Sequence, residues 1–379
     1  MLFKVAISII FHEKEKYIGA MAGVALAIFL VILQTGFYLG FRRDITNIID
    51  SFESDIWIVP KNRPSFDIWD SMDDLGYWKA LRHPDVDKVA RIVWAFAIWR
   101  NPEDGEKQFV QVLGVDFDAG IPIDLGISSE QLAPLLRGEG HVLICERDRK
   151  KLGITRDRQE GAEIYGKRVV VVGYLQKFIH LFTTSYLVVT DLGNAKTLVR
   201  FPPSNISYVV IKCRLEADVA KVIKDLKRVM PEHSVYSTDD FRSISATYWE
   251  SGAGIGPILL VSALLGALVG ILIVMLTFYI STVEKISVFA SMKALGASNG
   301  EIITILVIQV IIVYIIGSTM AGIWLYFALA AFAKTTISVV VTFWLIVSAL
   351  GAMALCSGFG CLLPILKLVN TDPGEAFRT

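Results

Sequence analysis

Four long apolar runs constrain this chain more than any other feature of its sequence. Each run has 25 to 31 residues and contains no Asp, Glu, Lys, Arg or His. Lipid offers backbone amides no hydrogen-bonding partner, so a spanning helix needs about 20 apolar residues, and a charge near its centre costs about 3 kcal/mol on insertion scales. The sequence therefore predicts four transmembrane helices, at residues 17–41, 255–283, 302–332 and 337–366.

Composition and motif spacing exclude several other classes of protein. The chain has 37 basic and 37 acidic side chains, so it has no basic excess for binding nucleic acid. Its four cysteines form no C-x-x-C pair and its five histidines show no metal-site spacing, so we expect no bound metal and no catalytic residues. Spacing cannot decide whether Cys145 and Cys213 pair.

The first run is predicted to be an anchor, because it is longer than the roughly 7 to 15 residues of a signal-peptide core and no cleavage site follows it. Basic residues in the short flanks favour cytoplasmic termini and an extracytoplasmic loop over residues 43–250. Seven basic residues lie on the side of the termini and four on the other side. The seven are Lys4, Lys14, Lys16, Lys285, Lys293, Lys367 and Arg378, and the four are Arg42, Arg43, Arg242 and Lys334.

The long loop is predicted to form an α+β domain over residues 55–238. Short runs rich in β-branched and aromatic residues predict strands, and two segments with helical periodicity, 128–138 and 217–231, lie among them. The predicted strands are 55–60, 89–99, 109–116, 141–145, 168–175, 185–190 and 207–213. The predicted fold class is thus a membrane protein with four transmembrane α-helices and a large α+β extracytoplasmic domain inserted between the first and second helices.

Both joins between this domain and the membrane carry apolar residues at helical spacing. We expect the first membrane helix to continue as a stalk to about residue 54, and a second stalk to occupy residues 239–254; ordinary amphipathic linkers are the alternative. The stalk residues are Phe41, Ile45, Ile48, Phe52, Phe241, Ile244 and Tyr248.

Polar groups inside the predicted spans are few. An ion-coupled carrier usually needs ionisable groups there, and the runs have none, so the energy for any transport should come from elsewhere. Gln34 and Gln309 are expected to form interhelical hydrogen bonds, and Gly266 and Gly270 to let two helices pack closely. Residues 161–167 match the start of a phosphate-binding P-loop, but Arg168 and a strand-like run follow, so a turn between strands is the better interpretation.

Three segments are predicted to lie at the cytoplasmic face: residues 1–16, 284–301 and 367–379. In the second, apolar residues at helical spacing precede Gly296, which is placed to end a helix, and Ser298 and Glu301 can form a capping box for the third span. Plain interfacial anchoring is the alternative interpretation of this short helix. In the tail, Asp372, Pro373 and Glu375 can start a last helical turn.

Two motifs in these segments carry a family resemblance. The run E-K-I-S-V-F-A-S-M-K-A-L-G-A-S (284–298) and the run D-P-G-E-A-F-R (372–378), together with one long domain after the first span, resemble the MacB/FtsX superfamily of type VII ABC-transporter permeases. Residues 19–37 and 355–358 resemble its DevC-like branch. This sequence contains no ATPase fused to the permease, which MacB has. Its outer domain is larger than that of division-type FtsX.

The resemblance implies a permease in a bacterial inner membrane that pairs with a second copy or a paralogue. A separate ATPase subunit, which would bind ATP and Mg, is expected to dock on residues 284–301, so this chain needs no cofactor of its own and is not expected to be an enzyme. The implied ATPase-coupling residues are Glu284, Lys285, Phe289, Met292, Lys293, Ala294, Leu295, Gly296 and Ala297.

The implied function is export of an amphiphilic or lipid-like substrate from outside the cytoplasm, driven by motion passed along the stalk. A periplasmic membrane-fusion adaptor and an outer-membrane duct are further implied partners. The alternative is a mechanotransducing protein that activates an envelope enzyme or sensor without transport. The sequence identifies neither the substrate nor whether the pair is a homodimer or a heterodimer.

Overall fold

The computed structural model describes residues 2–12, 14–127, 129–155, 160–176, 186–284, 288, 291–293, 295–332, 338–360 and 366. The chain divides into two compact units, one formed by Met1–Gly40 with Ile255–Thr379 and the other by Phe41–Gly254. We call them the helical unit and the sheet unit. The helices are α1 (Leu2–His12), α2 (Lys14–Ser51), α3 (Leu75–Leu81), α4 (Ser129–Leu136), α5 (Leu192–Leu198), α6 (Val219–Val229), α7 (Thr238–Thr247), α8 (Ile255–Glu284), α9 (Asn299–Phe332) and α10 (Phe343–Gly360).

Apolar helices fill the helical unit. Within the described residues, three helical segments are long and apolar enough to cross a bilayer: Lys14–Ser51, Ile255–Thr277 and Asn299–Phe332. They coincide with the first three predicted spans. The fourth predicted span contains α10, a shorter apolar helix, and residues 337 and 361–365 of that prediction lie outside the described residues. Residues 1–16, predicted to be amphipathic, contain α1.

Small residues let these helices pack closely. Ala20, Ala25 and Ala27 of α2 are buried in a core shared with α9 and α10. A Cβ added at Gly317 of α9 would come within 2.9 Å of the Val24 side chain of α2. Lipid gives no hydrophobic drive for association between helices, so such close backbone approach is what holds them together.

The sheet unit is built on β-strands. The strands are β1 (Ile56–Pro60), β2 (Met72–Asp73), β3 (Val86–Arg100), β4 (Lys107–Val115), β5 (His141–Cys145), β6 (Glu160–Ile164), β7 (Lys167–Leu175), β8 (Tyr186–Asp191), β9 (Asn205–Ile206), β10 (Tyr208–Cys213) and β11 (His233–Ser237). Among the described residues, nine of them form one mixed sheet in the order β11-β1-β10-β3-β4-β8-β5-β7-β6. The α+β prediction is confirmed, and each of the seven predicted strands is present within three residues of its expected bounds.

One extra pairing closes part of this sheet. At the end of β3, Trp99 pairs with Ile164 and Arg100 with Glu163 of β6. Strands β3, β4, β8, β5, β7 and β6 therefore form a closed ring. Residues 161–167 cover β6, a turn and the first residue of β7, which confirms the turn between strands rather than a phosphate-binding loop.

The two cysteines that the sequence left open are buried and are not joined to each other by a disulfide. Cys145 belongs to a core cluster with Trp57 and Trp94, whereas Cys213 belongs to a different cluster. Burial and the nearby Asp55 carboxylate raise the pKa of the Cys213 thiol to about 11, so this thiol stays protonated and weakly reactive.

Candidate coupling segment and stalk

The segment 284–301, which we call the coupling segment, ends in a tightly fixed turn. Helical residues 291–293 are followed by Gly296, whose φ is +96°. The amide of Ala297 donates to the Met292 carbonyl (2.9 Å) and that of Gly296 to the Lys293 carbonyl (3.0 Å), the two bonds of a Schellman motif. The expectation that Gly296 ends the helix in a left-handed conformation is confirmed.

A capping box fixes the other side of the turn. The amide of Ser298 donates to the Glu301 carboxylate (2.9 Å), and the amide of Glu301 donates to Ser298 Oγ (3.2 Å). This reciprocal pair starts α9 as the sequence predicted. Met292 and Ala297 pack against Ile302 and Leu306 of α9, so the turn is also held by apolar contact.

Leu295 is the large apolar side chain that this turn leaves exposed. Its side chain is 89% exposed, although its neighbours Met292 and Ala297 are partly buried. The Schellman motif and the capping box fix the backbone around this leucine. A large apolar side chain left exposed by a fixed turn is available for contact with a partner surface or with the membrane interface.

The other predicted coupling residues divide between described and undescribed positions. Glu284, at the end of α8, forms an ion pair with Lys16 in the first turn of α2. Lys293 is half-buried. Lys285, Phe289 and Ala294 lie outside the described residues, as do Asp372, Pro373 and Glu375 of the terminal motif.

Gly266 and Gly270 of α8 face α2. A Cβ at Gly270 would come within 2.2 Å of Ala27 Cβ, and one at Gly266 within 3.1 Å of Leu30 Cβ. On the opposite helix, a Cβ at Gly23 would come within 2.4 Å of the Ile273 side chain. A side chain at Gly23 or Gly270 would therefore push the two helices apart.

One buried polar contact joins α2 to α9. The hydroxyl of Tyr17 donates to Gln309 Oε1 (3.1 Å), and both side chains are 1% exposed. The interhelical hydrogen bond expected of Gln309 is confirmed. Gln34, the other glutamine, is half-buried in α2.

Five of the seven predicted stalk residues lie on two helices of the sheet unit, the 41–51 part of α2 and α7, which we call the stalk helices. The first helix ends at Ser51 rather than at about residue 54, so Phe52 follows its end, and Tyr248 follows the end of α7. Phe41, Ile45, Ile48, Phe52 and Phe241 are buried, and Ile244 and Tyr248 are half-buried. Ile48, Phe52 and Phe241 join the aromatic core around Trp57. The apolar face of the stalk helices is thus part of the core of the sheet unit.

Two ion pairs join the 41–51 part of α2 to α7 and to the residues that follow α7. Arg42 Nε lies 2.9 Å from Glu250 Oε1, and Arg242 Nε lies 2.5 Å from Asp50 Oδ1. Arg242 also contacts Asp239 at 2.6 Å. The two pairs, with residue 42 near 250 and residue 50 near 242, fix an antiparallel register.

The second stalk does not run as one regular α-helix. After α7 ends at Thr247, residues Tyr248–Gly252 form a π-helical turn, and Gly254 has a φ of +74° just before α8 begins. π-Helical turns are rare, and many of those known lie at functional sites. The sequence signal for this irregularity is the pair Gly252 and Gly254.

A buried polar cluster, which the sequence did not indicate, holds this turn against the loop after β1. Trp249 Nε1 donates to Ser65 Oγ (3.0 Å), and the Phe66 amide donates to Ser245 Oγ (3.2 Å). Asp67 is buried next to them. Burial raises the pKa of Asp67 to about 7, opposed by an indole hydrogen bond from Trp249 and by the charge of Arg63.

Comparison with known families and structures gives two matches along the chain. Residues 18–229 match the MacB-like periplasmic core domain, and residues 260–373 match the FtsX-like permease C-terminal domain. A search of the curated proteins returned no match.

Comparison with solved structures gives similarity to two domains, each over about half of this chain. The periplasmic region of MacB from Actinobacillus actinomycetemcomitans shares 11% identity, with a TM-score of 0.38, over 53% of this chain and 96% of that domain. The extracellular domain of the ABC-type transporter YknZ from Gram-positive bacteria shares 12% identity, with a TM-score of 0.34, over 48% of this chain and 98% of that domain.

Proposed function

The chain belongs to the MacB/FtsX superfamily of ABC-transporter permeases, and from this we propose that it transmits ATP-driven motion from a separate cytoplasmic ATPase to its sheet unit. Members of the family are inner-membrane components of ABC transporters with a periplasmic domain, and their ATPase is a separate subunit unless it is fused, as in MacB. In our proposal the termini and the coupling segment are cytoplasmic, the sheet unit is periplasmic and residues 337–366 form a fourth span.

The exposed Leu295 carries this proposal. Its turn is fixed by a Schellman motif before it and a capping box after it, so force applied to the leucine would reach α9 without being lost in local bending. The Lys16–Glu284 ion pair supports the same role, because it joins the start of α2 to the end of α8. Lys293 and the terminal residues Asp372, Pro373 and Glu375 would complete the ATPase contact.

The absence of charged side chains from the spans supports a protein that transmits motion across the membrane rather than one that forms a pore for a substrate. The four apolar runs contain no Asp, Glu, Lys, Arg or His that could bind a hydrophilic substrate or a coupling ion. The substrate would therefore be handled by the sheet unit, outside the cytoplasm. We propose an amphiphilic or lipid-like substrate, an assembly with a second permease copy or paralogue, and a periplasmic adaptor leading to an outer-membrane duct. We also propose placement in the DevC-like branch, on residues 19–37 and 355–358.

The test is substitution of the exposed leucine. Leu295→Ser, alone and with Lys293→Ala, should lower co-purification of the cognate ATPase, and its stimulation, by about tenfold, which corresponds to a loss of about 1.4 kcal/mol at the interface. Leu215→Ser is the matched control, because Leu215 is a fully exposed leucine of the sheet unit. Unchanged ATPase binding and export in the Leu295 variants would contradict the coupling role.

A pull-down from gently solubilised membranes separates export from signalling. An adaptor with an outer-membrane duct would support export. A cell-wall hydrolase or a sensor kinase in their place would show that the same motion drives an envelope partner without transport.

A further inference from the structure

A concave, positively charged pocket lies at one edge of the sheet unit. It has a volume of about 560 Å³ and is lined by the ends of β3, β4 and β6 and by the turns after β6 and α5. We call it the basic pocket. The residues on which its chemistry depends are Ile98, Arg100, Lys107, Glu163, Tyr165 and Arg200.

The first unusual feature of the basic pocket is a pair of like charges. Arg100 and Lys107 are directly opposite each other on the antiparallel strands β3 and β4. Like charges in this position destabilise a sheet. Glu163 lies across from Arg100 on β6, at 3.6 Å, and is the only carboxylate among the described lining residues. It neutralises one cation, which leaves an excess of two positive charges.

The second feature is Tyr165 in a turn that disfavours it. Ile164 pairs with Lys167, so Tyr165 and Gly166 form a two-residue hairpin turn, with φ values of 48° and 77°. Two positive φ values are the pattern of a type I′ turn, which favours Asn-Gly. The tyrosine hydroxyl donates to the Phe96 carbonyl (3.3 Å), and 40% of this residue stays exposed in the pocket.

The third feature is Arg200 at a glycine position. Arg200 follows α5 with a φ of 55°, and the Phe201 amide donates to the Lys196 carbonyl (2.9 Å), as in a Schellman motif. Glycine is the usual residue there because it has no Cβ. In the described part of the chain, Tyr165 and Arg200 are two of the three non-glycine residues with positive φ.

Three independent local rules are therefore broken in one cavity. Each departure costs stability, and departures of this kind concentrate where function requires a particular side chain. We propose that the basic pocket binds a phosphate monoester group, with Arg100, Lys107 and Arg200 as its ligands and Tyr165 and Ile98 contacting the adjoining part of the molecule. The dianion matches the excess charge, and guanidinium groups match phosphate oxygens in geometry.

A phosphate monoester can belong to a lipid headgroup or to a small soluble compound. The proposal rests on the sheet unit alone, so it stands or fails independently of the coupling segment. The probes are inorganic phosphate, dihexanoyl phosphatidic acid and, as a control without net charge, dihexanoyl phosphatidylcholine. Each is titrated into the full chain in detergent by calorimetry, at low and high salt.

The informative variants should fold at least as well as the parent protein. Lys107→Glu turns the like-charge pair into an opposite-charge pair, and Arg200→Gly and Tyr165→Asn supply the residues that their turns favour. We expect each to keep or raise the unfolding midpoint. Lys107→Glu and Arg200→Gly should each weaken phosphate binding about tenfold or more, since each removes a charge-assisted contact. Lys150→Gln, an exposed lysine outside the pocket, should change nothing.

The source of the phosphate follows from the relative affinities. Phosphatidic acid binding about tenfold tighter than inorganic phosphate identifies a lipid headgroup, and equal binding identifies a soluble compound. Phosphate binding that is the same in the pocket variants and in Lys150→Gln overturns the proposal. Absence of phosphate binding at millimolar concentration also overturns it.

Discussion

At the scale of single residues, Asp67 carries a clear dependence on pH. Burial raises its pKa from 3.8 to about 7, so the folded chain binds a proton that the unfolded chain has lost. Stability should therefore fall as the pH rises from about 4 to about 7, by at most about 4 kcal/mol, and then level off.

Asp67→Asn removes this titration, because the amide is neutral at every pH. The gain in unfolding midpoint over the parent protein should be larger at pH 8 than at pH 5, measured by thermal unfolding of the full chain. Asp118→Asn is a control, since the Asp118 side chain is 74% exposed. A gain from Asp67→Asn that is the same at both pH values would be inconsistent with a protonated buried carboxyl group.

Gly296 and Gly300 form a matched pair for testing the turn of the coupling segment. Gly296 has a φ of +96°, which L residues adopt only with strain, whereas Gly300 lies in the first turn of α9. Gly296→Ala should destabilise the turn by about 1 to 2 kcal/mol and reduce ATPase stimulation. Gly300→Ala should be neutral or stabilise α9 by up to about 1 kcal/mol. Equal stimulation in the two variants would argue against a fixed turn.

At the scale of secondary-structure elements, two ion pairs add to the core packing of the stalk helices and match their antiparallel register. Arg42 and Glu250 are the better pair for a charge-reversal test, because Arg242 contacts two carboxylates, those of Asp50 and Asp239. Arg42→Glu and Glu250→Arg should each lower export activity, and the double reversal should restore it. The pair is partly exposed, so a double-mutant cycle of unfolding free energy should give a coupling of about 1 kcal/mol or less. Failure of the double reversal to restore activity would mean that the pair does not set the register.

The same scale shows what the sequence could predict. The capping box of Ser298 and Glu301 and the left-handed Gly296 were predictable, because all their partners lie within six residues. The seven main strands were predictable from their composition. The sheet order was not, because β1 pairs with β10 and β11 from the far end of the domain. The contact of Trp249 with Ser65 could not be predicted either, because the two residues are far apart in the sequence.

At the scale of the whole molecule, the proposal requires the coupling segment and the sheet unit to lie on opposite sides of the membrane. Cysteine labelling tests this directly. Arg168→Cys and Leu295→Cys place exposed thiols in the two regions, in a background where Cys356 and Cys361 are replaced by serine. Native Cys145 and Cys213 are buried. An impermeant maleimide should label position 168 in intact spheroplasts and position 295 only after permeabilisation.

The expected asymmetry has a physical basis in the charges that flank the spans. Seven basic residues on the side of the termini oppose four on the other side, and positive residues near span ends are retained in the cytoplasm. Labelling of both positions in intact spheroplasts would place the ATPase contact and the sheet unit in one compartment. No motion could then be passed across the bilayer between them, and Leu295 would need a partner outside the cytoplasm.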